Sequence, residues 1–190
     1  MLDFLLNIDT AIFYFINITL SNPVFDKLFP YITTNSSWTL VYIILFYILF
    51  FKTGRTGKFC ALALIITIFV SDQFNSQILK EIFGRLRPCH TLSDINLLVT
   101  CGGGKSFPSS HAVNNFAAAS VLAYFFKKYR WYVLIIAFLV AFSRVYCGVH
   151  YPFDVISGGI IGYFIGLAIS VLIEKFNNYL INRKKEKLTS

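Results

Sequence analysis

Ser143-Arg144-Val145-Tyr146-Cys147-Gly148-Val149-His150-Tyr151-Pro152-Phe153-Asp154 carries an arginine, a histidine and a carboxylate between two apolar runs, each long enough to cross a bilayer. Charge in such a place is costly. Taken singly, Arg144 could snorkel to the interface and His150 could be a satisfied loop residue, the commoner fate of either. Two further polar clusters, Lys80…Arg87-Pro88 and Pro108-Ser109-Ser110-His111, also sit where an apolar run starts or stops. The three clusters are therefore expected to meet at one membrane face.

The composition agrees with a membrane setting: 56% of the 190 residues are hydrophobic, 18% aromatic and only 14% charged, far from the balance of a soluble domain. A net charge of +8 raises the question of nucleic acid, but the basic residues form no stripe interleaved with exposed aromatics. They fall into Lys52/Arg55/Lys58, Lys127/Lys128/Arg130 and Lys175/Arg183/Lys184/Lys185/Lys187, the pattern of cytoplasmic loops. Neither a nucleic-acid partner nor an obligatory protein partner is expected. No cleavable leader is evident, since Asp3 and Asp9 stand where a basic n-region would be.

Outward from the opening stretch, residues 155–173 are uncharged, with Gly158, Gly162 and Gly166 in a small-xxx-small register that lets helix backbones approach closely. Apolar runs at about 37–51, 57–70, 110–126 and 131–147 complete an expected five-span, all-α polytopic bundle. Residues 1–36 are expected to be interfacial amphipathic helices, with Phe4, Leu5, Ile8, Ile12 and Phe15 opposite Asp3, Asn7, Thr10, Tyr14 and Asn17. A sixth span over 4–20 is the alternative. The core is assigned to 37–180 and a basic cytoplasmic tail to 181–190. With the basic loops inside, residues 80–111 and 143–154 face the same outer side. Cys89 and Cys101 bracket one polar loop there and form a candidate disulfide, whereas neither cysteine pair has zinc-ligand spacing.

Lys80-x6-Arg87-Pro88, Pro108-Ser109-x-His111 and Ser143-Arg144-x5-His150-x3-Asp154 resemble, in order and spacing, the three signature motifs of the type-2 phosphatidic acid phosphatase family. The resemblance covers residues 80–154 and implies a membrane lipid phosphatase. One departure is Ser110, where family members usually carry glycine.

The chemistry of these residues agrees. Phosphoryl transfer needs the equatorial oxygens neutralised, an in-line nucleophile and an acid for the leaving oxygen. Lys80, Arg87 and Arg144 supply charge, and arginine's planar fork suits phosphate. Ser109 and Ser110 open a helix whose free backbone N–H groups point at an anion, with Ser109 able to cap it. Asp154 would accept the Nδ1 proton of His150 and leave Nε2 free to attack, forming a phosphohistidine. His111 would protonate the leaving oxygen and later activate water. The family implies the same roles. His90 matches no motif. The scheme needs no cofactor, and no paired carboxylates suggest a metal site.

The expected function is a metal-independent phosphatase acting on a lipid phosphate monoester or diphosphate at the periplasmic face of a bacterial cytoplasmic membrane. Lipid A 1-phosphate is the first-choice substrate, with undecaprenyl diphosphate, phosphatidylglycerol phosphate and phosphatidate as alternatives. The competing non-enzyme reading is a headgroup-binding or transport protein. A carrier needs the cations but has no use for His150 backed by Asp154 and a second, proton-donating histidine.

Overall fold

A computed structural model describes residues 2–189, with side chains described for 3–187; Met1 and Ser190, the outer ends of the two terminal segments named above, lie outside the described residues. The chain forms α1 (Leu2–Tyr14), prolonged by a wide turn over Phe15–Thr19, then α2 (Phe25–Thr33), α3 (Thr39–Phe51) and α4 (Gly54–Gln73). A second wide turn at Phe74–Leu79 and the short helix Lys80–Phe83 carry α4 onward to Gly84. After a long loop come α5 (Ser110–Phe125), α6 (Arg130–Tyr146) and α7 (Pro152–Thr189). No strand occurs among the described residues.

Among the described residues, three helical runs, Gly54–Thr91, Lys127–Tyr146 and Pro152–Lys187, are each long and apolar enough to cross a membrane. The pair Phe25–Thr33 and Asn35–Phe51, bent by 74°, brings the number to four if taken as one broken span. The fifth expected span falls on α5, whose 16 residues reach about 24 Å at 1.5 Å per residue, short of a hydrocarbon layer of about 30 Å. Its neighbours embrace it instead. A Cβ added to Gly162 would lie 2.1 Å from the Val113 carbonyl oxygen, and one on Gly166 2.3 Å from that of Ala117. The glycine register thus presses the backbone of α7 onto α5, and any larger residue there would force the helices apart.

The N-terminal segment departs from its expected orientation. An interfacial helix would turn its polar stripe to water, yet Asp9, Phe13 and Asn17 are buried against the bundle while Phe4 (66% exposed) and Phe15 (54%) point away. Apolar surroundings reverse the usual amphipathic logic, because a polar group must then find its partners inside the protein. Asn17 does so at the end of α6: Nδ2 donates to the carbonyls of Tyr146 (2.7 Å) and Asn96 (2.8 Å), and Oδ1 accepts from the Asn96 N–H (2.8 Å). Tyr146 donates to Asp26 Oδ1 at 2.6 Å, fastening α2 to the same place.

Two other expectations are refined. The loop after Arg87 contains one helical turn, Pro88–Thr91, started by proline at its first position. The basic tail is a continuation of α7, which runs unbroken to Thr189.

Candidate active site

The opening stretch folds tightly between α6 and α7. The Arg144 carbonyl accepts from the N–H groups of both Val149 (3.1 Å) and His150 (3.3 Å). Gly148 makes the turn possible at φ +81, and a Cβ there would lie 3.0 Å from the Asn96 carbonyl oxygen. Pro152 then starts α7, which places Asp154 in its first turn below His150.

His150 is 1% exposed. Its Nε2 lies 3.4 Å from Arg87 Nη1. A guanidinium only donates, so Nε2 offers it a lone pair and the ring proton belongs on Nδ1. Nδ1 is 3.4 Å from Asp154 Oδ2 and 3.3 Å from Ser106 Oγ. The expected His150–Asp154 pair is therefore long for a direct hydrogen bond, and Ser106, unexpected from the sequence, stands at the junction. Ser106 donates to Asp154 Oδ2 at 2.5 Å. Burial pulls the His150 imidazole down to about 4, because the charged ring would lose its hydration. The ring is neutral at pH 7.

Asp154 is fully buried, and its oxygens are heavily engaged. Besides Ser106, the Tyr151 N–H donates to Oδ2 (2.9 Å) and Arg85 Nη1 to Oδ1 (2.8 Å). The other Arg85 terminal nitrogen donates to Asp9 Oδ2 at 2.7 Å, and Asp9 Oδ1 accepts the Phe153 N–H at 2.8 Å. One guanidinium fork thus joins two buried carboxylates while lying 3.9 Å from the Tyr151 ring centroid. Arg85 stood two positions before Arg87 in a segment already singled out, and Ser106 three before Ser109. Asp9 had a signal too: an acid within an apolar helix.

The remaining expected residues approach the same centre. Arg87 and Arg144 are each 8% exposed. Arg87 Nη1 lies 3.4 Å from the Val149 carbonyl, Arg144 Nη1 donates to Thr33 Oγ1 at 2.7 Å, and the Nε of each makes no hydrogen bond among the described residues. Electrostatically, His111 feels Arg144, His150 and Arg87, while half-buried Lys80 feels Arg87 and Arg144, so all three clusters come together. Ser109 stands at the N-cap of α5, but its buried hydroxyl neither caps the helix nor finds another partner among the described residues. The expected cap is absent and the hydroxyl is free for an anion. Ser110, the departure from glycine, receives Asn75 Nδ2 at 2.9 Å, so its side chain tethers α5 to the turn after α4.

The long loop is fixed over the cations. Cys89 and Cys101 are joined in a disulfide with Cα atoms 6.2 Å apart. A Cβ on Gly102 would come within 3.9 Å of the Arg87 guanidinium, and Lys105 Nζ pairs with Glu81 at 2.5 Å. Cys89, exposed His90 and Cys101 are also the one three-residue group among the described residues with ligand-type atoms close together. Sulfurs bonded to each other are not thiolate ligands.

Comparison with known proteins fits this geometry. Residues 56–178 match the model of the PAP2 superfamily. A lipid A 4'-phosphatase of Bacteroides thetaiotaomicron is 35% identical over 87% of this chain and 77% of its own length. One from Porphyromonas gingivalis is 28% identical over 87% and 72%. The crystal structure of Aquifex aeolicus LpxE superposes with a TM-score of 0.68 at 28% identity, covering 84% of this chain and 93% of that one.

Proposed function

The chain belongs to the PAP2 superfamily as a membrane phosphatase acting on lipid phosphates, and from that premise we propose that it removes a phosphate from lipid A, with the 4'-phosphate as the site of cleavage. The sequence alone favoured the 1-phosphate. That preference is corrected because both curated relatives described above are named 4'-phosphatases.

One observation carries the chemistry: buried Arg87 Nε, Arg144 Nε and Ser109 Oγ have no hydrogen-bond partner among the described residues beside a neutral, buried His150. Buried donors left unsatisfied are expensive, and a phosphate dianion would satisfy all three. The phosphate oxygens draw the Arg87 N–H away from His150 Nε2, freeing that lone pair for attack on phosphorus. As the new P–N bond forms, the P–O bond to the lipid alcohol breaks and the leaving oxygen takes a proton from His111, whose protonated form the bound phosphate dianion stabilises. Water then attacks the phosphohistidine, giving its proton to His111, and inorganic phosphate departs as the P–N bond breaks. Lys80 adds charge, and Asp154 together with Ser106 holds His150 in its tautomer.

The active face is the outer, periplasmic one of a bacterial inner membrane, with α5 crossing as a short fifth span shielded from lipid by its neighbours and the basic loops inside. The test is phosphate release by purified protein from lipid A bearing only the 4'- or only the 1-phosphate, alongside undecaprenyl diphosphate and phosphatidylglycerol phosphate. Preferential release from the 4' species is expected, and absence of release from every lipid would reject the reading.

A further inference from the structure

A cavity of about 1130 Å³ lies between α3, α4, α5 and α6. Ser110 and His111 line it, whereas His150, Arg87 and Arg144 do not. In-line displacement puts nucleophile and leaving oxygen on opposite sides of phosphorus. If His150 attacks and His111 protonates, as proposed above, the departing alcohol lies on the His111 side and enters this cavity. From His111 to Leu122 its wall follows α5 for about 16 Å at 1.5 Å per residue. Apolar side chains such as Leu45, Phe46, Leu64 and Leu122 line most of it.

The end nearest His111 is not apolar. Asn114 and Asn115, one helical turn beyond His111, line the cavity with Asp72 of α4. Asn114 Nδ2 donates to Asp72 Oδ1 at 3.0 Å, and Ser71 Oγ donates to Asn114 Oδ1 at 2.8 Å, which fixes the amide with its donor toward the carboxylate. Asn115 Nδ2 turns back to the His111 carbonyl at 2.9 Å. A carboxylate in an otherwise apolar groove is costly unless donors reach it, and the Asn114 amide engages one of its two oxygens.

We infer that Asp72, Asn114 and Asn115 form a leaving-group subsite for an alcohol that carries hydrogen-bond donors within about one helical turn (~5 Å) of the scissile oxygen, with its hydrocarbon chains along the apolar remainder of the cavity. The ligand class is a sugar- or glycerol-type phosphate lipid with free hydroxyls or amides. A prenyl phosphate would press methylene groups against the carboxylate and return no hydrogen bond. The inference rests on the phosphatase reading and its assignment of His111 to the leaving side.

Purified protein is assayed for kcat/KM on an acylated glucosamine phosphate, on phosphatidylglycerol phosphate and on farnesyl monophosphate. Wild-type protein should favour the two donor-bearing substrates over the prenyl phosphate by tenfold or more, equivalent to about 1.4 kcal/mol. The glucosamine and glycerol arms tell which donor source fits. The near-isosteric Asp72→Asn and, separately, Asn115→Leu should lower the donor-to-prenyl ratio about tenfold. Methylating the hydroxyl next to the phosphate of the glucosamine substrate should cost wild-type protein a similar factor, a test needing no variant. Release from all substrates with no preference, or ratios untouched by the variants and by methylation, would overturn the subsite alone. No release from any substrate would overturn the phosphatase reading beneath it.

Discussion

Replacing Arg85 by methionine should be among the most damaging changes in the protein outside the phosphate-binding cluster. The side chain is 20% exposed, yet both carboxylates that it joins are fully buried, at 2.7 and 2.8 Å. Removing one partner from a buried ion pair typically costs about 3–5 kcal/mol, because the other charge is left without compensation. The two acids are not equally exposed to that loss. Among the described residues, Asp154 keeps the Ser106 hydroxyl and the Tyr151 N–H, whereas Asp9 keeps only the Phe153 N–H. Most of the penalty therefore falls on Asp9, and Asp9→Asn should relieve it while still accepting from Phe153. In a double-mutant cycle followed by denaturant unfolding in micelles, the Arg85→Met/Asp9→Asn protein should be more stable than Arg85→Met alone, by about 1.5–2.5 kcal/mol if half of the penalty is recovered. Losses that simply add would refute the bridge as a charge-compensating unit.

Chelation is expected to leave turnover unchanged, since cationic side chains take the role of a metal; inhibition by EDTA reversed by Mg²⁺ would contradict the scheme. His150 has its folded value near 4 against 6.5 for a free imidazole, so between those values the unfolded chain binds the extra proton. Its contribution to stability is therefore complete above pH 6.5 and lost as pH falls toward 4, and His150→Gln should flatten that part of an unfolding profile against pH. The Cys89–Cys101 bridge closes a separation of 12 residues, worth about 3 kcal/mol in the chain-entropy model; Cys89→Ser or reduction should lower the melting temperature, and four free thiols in native protein would rule the bridge out.

What was legible in the sequence was the chemistry placed at the ends of apolar runs. Lys80, Arg87, Ser109, His111, Arg144, His150 and Asp154 stand out because charge and hydroxyls interrupt hydrocarbon there, and local spacing alone puts His150 above Asp154. The glycine register of α7 was legible for the same reason, since contact with α5 demands small residues at every fourth position. The direction of α1 was not. Periodicity says that Asp9 and Phe13 share a face, but which face meets lipid depends on a partner, Arg85, that lies 76 residues away. Ser109 shows a similar limit: its N-cap position followed from the motif, whereas its unpaired hydroxyl depends on packing around the site. The apolar run read at about 110–126 is α5, Ser110–Phe125; that its neighbours enclose it was not legible, because enclosure depends on packing between distant helices.

The central claim is that phosphate passes through His150. The direct measurement is rapid, acid-free quenching of wild-type protein during a single turnover of lipid A labelled in its 4'-phosphate, followed by peptide mass analysis. An acid-labile phosphoryl group on the peptide containing His150 is expected, rising and then decaying as phosphate is released, and missing from His150→Ala protein, which should release no phosphate. Phosphate release from the wild-type enzyme with no covalent phosphate on His150 at any quench time, and undiminished release by His150→Ala, would contradict it.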